Sequence, residues 1–111
     1  MRVYLSGPIT NDPNYRKKFK EAEIMMKNRN CQVANPAELC SVLPKDATYE
    51  EIMNIDLEIL GMCDALIQLP GWKESAGANR EYGYALATDK LIVEYELLIK
   101  EMENGRMEKI G

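Results

Sequence analysis

Apolar residues along the chain fall either into short runs or into stretches with helical spacing. Val3–Leu5 is a short apolar run that ends at the turn signal Ser6-Gly7-Pro8, which predicts a strand followed by a tight turn. Asp64–Leu69 contains a longer apolar stretch, which is typical of a strand covered on both faces of a sheet. The four predicted strands cover residues 3–5, 31–34, 64–69 and 91–93.

The segments between these strands carry helical periodicity. In residues 14–30 the apolar positions repeat at helical spacing, and charged residues occupy the opposite face. Thr48 with Glu51 three residues later is a capping-box pattern, which predicts the start of another helix. Residues 36–47 contain two prolines and no period, so we predict a loop there. The predicted helices cover residues 14–30, 48–62, 76–88 and 96–104, the last ending at Gly105.

Strands that alternate with helices in this order predict an α/β fold with parallel pairing and right-handed crossovers. We therefore expect a Rossmann-like or flavodoxin-like three-layer sandwich with a four- to five-stranded, mostly parallel sheet. The length of 111 residues suits a single domain over residues 1–111. In such sheets a ligand binds beyond the carboxyl ends of the strands, so the turns after the strands are the expected site.

The composition argues against several classes of function. The net charge is −4 and the pI is about 4.9, so the chain lacks the basic excess of a nonspecific nucleic-acid binder. Any nucleotide ligand is therefore expected to be a monomer and not a polymer. The chain contains no His and no CxxC pair, which argues against a metal site.

Cysteine spacing and hydropathy indicate a compartment. The three cysteines are odd in number and well separated, which favours a reducing environment over a disulfide framework. The first residues are predicted to form a strand, unlike a signal peptide, and no apolar run reaches membrane-spanning length. We therefore expect a cytoplasmic protein without membrane association.

Asp56 is the first candidate for chemistry. In a chain without His, acid–base or nucleophilic work would fall to carboxylates, Tyr, Lys or Cys. Asp56 lies within the apolar stripe of its predicted helix, one turn from Ile52 and Leu60. An ionised carboxylate there is costly unless it is paired or opens into a cleft. Asp56 is thus a rim residue, a partner for a backbone N–H, or part of a site.

Glu81 is the second candidate. Its neighbours one turn away on the predicted helix are the small residues Gly77, Ala78 and Ala85. Such a face lets the helix approach a strand closely, or leaves room for a ligand. A solvent-exposed glutamate is the alternative interpretation, since most helix glutamates face water.

The start of the same helix offers a binding feature. Ser75 directly precedes the helix, where it can cap the backbone. Together with Gly77 and free backbone N–H groups it can also form a phosphate seat. Trp72 lies in the preceding loop, where it either stacks on a base or packs within the protein.

Three stretches together resemble a known family. They are residues 3–9, residues 56–66 and residues 75–86, and the resemblance spans residues 1–94. The chain is similar to the nucleoside 2-deoxyribosyltransferase superfamily, and within it to the 2′-deoxynucleoside 5′-phosphate N-hydrolases. It looks most like a small bacterial and phage branch of these proteins.

The resemblance implies roles for individual residues. Glu81 matches the family's nucleophile, which attacks the sugar at C1′. Asp56 matches the aspartate that assists the leaving base, and Tyr4 matches a tyrosine close to the nucleophile. The turn that lines the nucleoside site corresponds to Ser6, Gly7, Pro8 and Ile9.

One position separates the branches of the family. Six residues before the nucleophile, the transferases carry an aspartate and the hydrolases carry a phosphate-binding serine. This chain has Ser75 there, which implies a nucleoside 5′-monophosphate as substrate. The hydrolases' arginine in the first turn is replaced by Thr10. Both branches also complete the site with a residue from a neighbouring subunit, so the resemblance implies a dimer or tetramer.

These observations predict an enzyme without cofactor or metal. It would cleave the N-glycosidic bond of a 2′-deoxynucleoside 5′-monophosphate, or transfer the deoxyribosyl group, through a covalent glycosyl-Glu81 intermediate. The alternative is a binding protein that holds a nucleotide or nucleotide signal without cleaving it. A pure assembly module is a third interpretation, but it leaves Asp56 unexplained.

Overall fold

The sheet is built from four short strands made largely of apolar residues. The strands are β1 (Arg2–Ser6), β2 (Gln32–Ala34), β3 (Ala65–Gln68) and β4 (Leu91–Glu94). This computed structural model describes the backbone of residues 1–110 and the side chains of residues 1–104. The four strands pair in parallel in the order β2-β1-β3-β4. The central strands β1 and β3 are buried along their whole length except at Arg2.

Five helices connect and cover the strands within the described residues. They are α1 (Tyr15–Asn28), α2 (Pro36–Leu39), α3 (Tyr49–Gly61), α4 (Ala76–Ala87) and α5 (Tyr95–Ile110), with 3₁₀ turns at Cys40–Val42 and Trp72–Glu74. This arrangement confirms the predicted α/β fold. The capping box at the start of α3 is also confirmed, since the Thr48 and Glu51 side chains accept each other's backbone N–H groups at 3.1 and 2.9 Å.

The two faces of the sheet bury different sets of side chains because residues alternate along a strand. Val3 and Leu5 of β1 pack with Phe19 of α1 on one face, where Leu98 of α5 joins them. Tyr4 points to the other face, where it lies in a cluster with residues of α3 and α4. The helices thus form two layers with the sheet between them.

The predicted loop over residues 36–47 is wrong in its first half. Asn35 caps α2 by accepting the Ala37 N–H at 3.0 Å, and Pro36 occupies the first turn, where its missing N–H has no cost. The buried Glu23 accepts a hydrogen bond from the Asn35 amide at 3.0 Å, which orients the cap. A four-residue helix is too short to show a period, so the sequence pattern missed it.

The final helix is longer than its prediction. It begins directly after β4 at Tyr95 and continues to Ile110, whereas the sequence pattern predicted an end at Gly105. Within the described residues, no helix combines the length and the hydropathy that crossing a bilayer requires.

The turn after β1 lies tightly against the end of β3. A Cβ on Gly7 would approach the Leu69 Cβ to 2.9 Å, so only glycine allows this contact without a shift. Gly71 follows with φ of +85°, a left-handed conformation that glycine tolerates. These two glycines let the turns that follow β1 and β3 pack closely against each other.

Candidate functional site

A cleft of about 150 Å³ opens at the carboxyl ends of β1 and β3, the position expected for a ligand in this type of sheet. The turn after β1, the first turns of α3 and α4, and the α2 region form its walls. The residues that line it include Thr10, Cys40, Asp56, Ser75 and Glu81.

Glu81 is held at the bottom of this cleft. Although it lies on a helix, its side chain is only 5% exposed. The Tyr4 hydroxyl donates a hydrogen bond to one carboxylate oxygen, and the Ser6 hydroxyl donates to the other at 2.7 Å. The two donors come from the same face of β1 and fix the orientation of the carboxylate.

Burial dominates the ionisation of Glu81. It raises the pKa of Glu81 to about 7, while the Tyr4 and Ser6 hydrogen bonds oppose the rise and Asp56 adds to it. Desolvation and the charge of Glu81 also raise the pKa of Tyr4 far above its usual range. Tyr4 therefore stays protonated and acts as a donor to Glu81 at physiological pH.

Asp56 lies in the same cleft, and one of its carboxyl oxygens lacks a hydrogen-bond partner. It is 5% exposed, so it is not the rim residue that one interpretation of the sequence suggested. Its Oδ1 atom has no hydrogen-bond partner among the side chains and backbone that the structure describes. Burial raises the pKa of Asp56 to about 6. A buried carboxyl oxygen without a protein partner is unfavourable, so Oδ1 is available to accept a hydrogen bond from water or from a ligand in the cleft.

The first turn of α4 forms one edge of the cleft. Ser75 caps the helix, since its hydroxyl accepts the Ala78 N–H at 3.2 Å, and it also lines the cleft. A Cβ on Gly77 would stand 3.5 Å from the Met53 sulfur and 3.7 Å from the Tyr49 hydroxyl. The missing side chain therefore leaves space at the helix N-terminus, where backbone N–H groups favour anions.

Two residues named from the sequence lie elsewhere. The Trp72 ring packs on Tyr82 with centroids 5.0 Å apart and lines a separate cavity of about 260 Å³ beside the start of α5. Pro8 packs against the turn at Gly71, whose Cβ would lie 3.3 Å from the proline ring. Of the β1 turn, Gly7 and Ile9 line the cleft.

Several residues that line the cleft were not predicted from the sequence. Tyr49, Ile52 and Met53 line it together with Asp56, and these positions share one face of α3 because they are three or four residues apart. Of the apolar residues that made Asp56 conspicuous, Ile52 lines the cleft, whereas Leu60 is buried in the core. Cys40 follows α2, an element that the pattern did not reveal.

The cleft is acidic and carries no recognisable metal cluster. No lysine or arginine is among the residues that line it in the described part of the chain. Residues 1–104 contain no group of three or more His, Cys, Asp or Glu side chains arranged to hold a metal ion.

Comparison with solved structures relates this geometry to known proteins. A 2-deoxyribosyltransferase from Leishmania mexicana superposes with a TM-score of 0.64 at 23% identity, over 85% of this chain and 63% of the other. A 2-deoxyribosyltransferase from Bacillus psychrosaccharolyticus superposes with a TM-score of 0.69 at 18% identity, over 85% of this chain and 71% of the other. The fold is therefore shared with deoxyribosyltransferases, and this chain spans less than two thirds of the Leishmania protein.

The sequence itself identifies a family. No curated protein matches the chain in a sequence search. A family described as a domain of unknown function, DUF4406, matches residues 1–94, which include β1, α3, α4 and every residue of the cleft named above. The chain belongs to the DUF4406 family.

Proposed function

We propose that this protein cleaves the N-glycosidic bond of a 2′-deoxynucleoside 5′-monophosphate, with Glu81 as nucleophile. The observation that carries the proposal is the pair of buried carboxyl groups in one cleft. Glu81 is oriented by two hydroxyl donors, and Asp56 has a carboxyl oxygen without a partner. Glycosidases of the retaining type require such a pair, one as nucleophile and one as acid.

The reaction follows from these two groups. Glu81 attacks C1′ of the sugar, the C1′–N bond breaks, and its electron pair leaves with the base. Asp56 donates a proton to the departing base, a role that a raised pKa favours. Water then attacks C1′ of the glycosyl ester, Asp56 accepts a proton from it, and the Glu81 carboxylate is released. A second base in place of water gives transfer instead of hydrolysis.

The 5′-monophosphate is the finer part of the proposal. Ser75 caps α4 and lines the cleft, and its position matches the phosphate-binding serine of the resembling hydrolases. The helix N-terminus and the open space at Gly77 favour an anion at that edge. The shared fold with two deoxyribosyltransferases supports a deoxyribosyl substrate.

Assembly belongs to the same proposal. Ile55 on α3, Met62 directly after α3 and Leu86 on α4 are exposed by 36%, 60% and 54%, and such apolar side chains suit a contact between copies. We expect light scattering to report a dimer or tetramer. A monomer at the concentration used in the assay would contradict this part.

The test of the reaction is the release of free base. We expect the wild-type protein to release base from at least one of the four common 2′-deoxynucleoside 5′-monophosphates, and Glu81→Gln to lose at least about 10³-fold in kcat. The Gln side chain keeps the size of Glu81 and removes the nucleophilic charge. Chromatography of the incubated mixtures measures the base.

The control is Glu58→Gln, which removes an exposed carboxylate from α3 without touching the cleft. Normal turnover by Glu81→Gln would contradict the mechanism. If the wild-type protein releases no base but nucleotides raise its melting temperature, the alternative of a non-catalytic nucleotide-binding protein replaces the enzyme.

A further inference from the structure

The cleft lacks the positive charge that a nucleotide would need. Its lining includes Asp56 and Glu81 and, within the described residues, no lysine or arginine. Thr10 stands in the turn where the resembling hydrolases carry an arginine. A charged donor binds a phosphate more strongly than neutral hydrogen-bond donors do. A nucleotide in this cleft would therefore need a cationic side chain close to the cleft opening.

Arg80 is placed to supply that charge. It precedes Glu81 on α4, and its guanidinium lies 5.6 Å from the centroid of the Tyr49 ring. Tyr49 lines the cleft, and its hydroxyl stands 3.7 Å from the position that a Cβ on Gly77 would occupy. Long side chains on a helix point back towards its N-terminus, which brings the guanidinium towards the first turn of α4.

The present partner of Arg80 is exposed and exchangeable. Both terminal nitrogens of Arg80 contact the two Glu50 oxygens, at 2.9 and 3.2 Å. The side chains are 39% and 67% exposed, and exposed ion pairs contribute little to stability. The geometry of two parallel N–H donors to two oxygens is also the one that guanidinium uses on phosphate.

We propose that Arg80 determines specificity for the 5′-phosphate by exchanging Glu50 for the phosphate of the bound nucleotide. This inference rests on the proposed function, because it assigns the phosphate contact of the same cleft. The Ser75 hydroxyl and the N–H groups in the first turn of α4 bind one side of the phosphate. The Arg80 guanidinium binds the phosphate at the cleft opening and neutralises its charge. Glu50 keeps the guanidinium in place while the cleft is empty.

The test compares nucleotides with nucleosides. For the four common 2′-deoxynucleoside 5′-monophosphates and the matching nucleosides, we expect Arg80→Gln to raise the ratio of nucleotide KM to nucleoside KM by about tenfold or more. Glu50→Gln releases the guanidinium from its competing carboxylate, so it lowers the same ratio. The control Lys73→Gln removes a nearby cation that stacks on Trp72, away from the cleft, and leaves the ratio as in the wild type.

Two results would overturn the proposal. One is an unchanged ratio in Arg80→Gln. The other is an equal rise of both KM values, which would show that Arg80 only supports the packing of α3 on α4.

A binding measurement separates this proposal from the proposed reaction. Calorimetry with the same nucleotides and nucleosides, on Glu81→Gln and on the double variant with Arg80→Gln, needs no turnover. If the wild-type protein cleaves nothing but Glu81→Gln binds nucleotides more tightly than nucleosides in an Arg80-dependent manner, the reaction fails and the phosphate contact stands. If nucleotides bind no more tightly than nucleosides, the phosphate contact fails whatever the activity.

Discussion

At the residue scale, two buried carboxyl groups with raised pKa values define the cleft. Burial raises the pKa of Asp56 to about 6 and that of Glu81 to about 7. The charge of Asp56 adds to the rise at Glu81, so the two carboxyl groups together retain a proton in the neutral range. Glycosidic cleavage needs this proton on Asp56 and a charge on Glu81, a distribution that the Tyr4 and Ser6 hydrogen bonds favour because they lower the pKa of Glu81.

The first prediction concerns the pH dependence of activity. We expect kcat/KM for the cleaved nucleotide to follow a bell-shaped curve with its maximum between about pH 6 and pH 7, because the active state carries one proton on the pair. Asp56→Asn should remove one limb of the curve along with most of the activity. A rate that stays constant from pH 5 to pH 8 would contradict the assignment.

The second prediction concerns stability. The folded pKa of Asp56 lies above its usual value, so its stabilising contribution is complete at low pH and is lost as pH rises through about 6. At pH 8 the wild type therefore buries a charge, and Asp56→Asn should be more stable by about 1–3 kcal/mol. Urea denaturation at pH 8 and pH 4.5 measures the difference, which should shrink at the lower pH.

The exposed Glu58 on the same helix provides the comparison for this effect. Its Gln variant should show no comparable gain between the two pH values. A loss of stability in Asp56→Asn at pH 8 would indicate that the carboxylate has a stabilising partner, contrary to its unpaired oxygen.

At the element scale, α4 combines a helix cap, an open space and the proposed nucleophile within two turns. Ser75 starts the helix, Gly77 leaves the cleft open, and Glu81 follows one turn later on the same face. This spacing was visible in the sequence as small residues around a glutamate. Its counterpart, the face of α3 that carries Asp56, was visible only as an apolar stripe with one misplaced charge.

The third prediction tests the gap at Gly77. Alanine there meets neighbours at ordinary distances of 3.5 and 3.7 Å, and alanine favours a helix over glycine by about 0.5–1 kcal/mol. Gly77→Ala should therefore be as stable as the wild type or more so, yet its nucleotide KM should rise because the methyl group occupies the cleft. Thermal unfolding and steady-state kinetics together measure the two effects.

Gly83 on the same helix is the matched control. A Cβ added there meets nothing within 4 Å, so Gly83→Ala should gain similar stability and leave KM as it is. An unchanged KM in Gly77→Ala would show that the ligand does not approach this turn.

At the scale of the whole molecule, the strand order decides which residues are buried. β1 and β3 lie at the centre, and β2 and β4 form the edges. Leu5 of β1 is 0% exposed, while Leu91 of β4 is 53% exposed, although both belong to short apolar runs. The sequence pattern did not distinguish the central strands from the edge strands.

The fourth prediction follows from this order. Leu5→Ala should destabilise the fold by about 2–5 kcal/mol, because it leaves a cavity in the centre of one core. Leu91→Ala should cost less than about 1 kcal/mol, because its side chain is half in water. Chemical denaturation of the two variants compares them directly, and equal losses would contradict the strand order.

The local sequence pattern was sufficient to predict which main helices and strands exist and in what order they follow one another. Period and capping depend on residues close in sequence, so the alternation of strands with helices, the capping box at Thr48 and the α/β class could be predicted and are confirmed. The short helix α2 was missed because four residues are too few to show a period. The full length of α5 was missed because Gly105, which was predicted to end the helix, lies within it.

The contacts of the cleft depend on distant parts of the chain. Tyr4 and Ser6 reach Glu81 across 77 and 75 positions, and parallel pairing of β1 with β3 brings them together. Candidate residues could be named from their types and from a resemblance, but their burial, their hydrogen bonds and the exclusion of Trp72 from the cleft follow from packing. Desolvation, which raises both carboxyl pKa values, exists only once the helices cover the sheet.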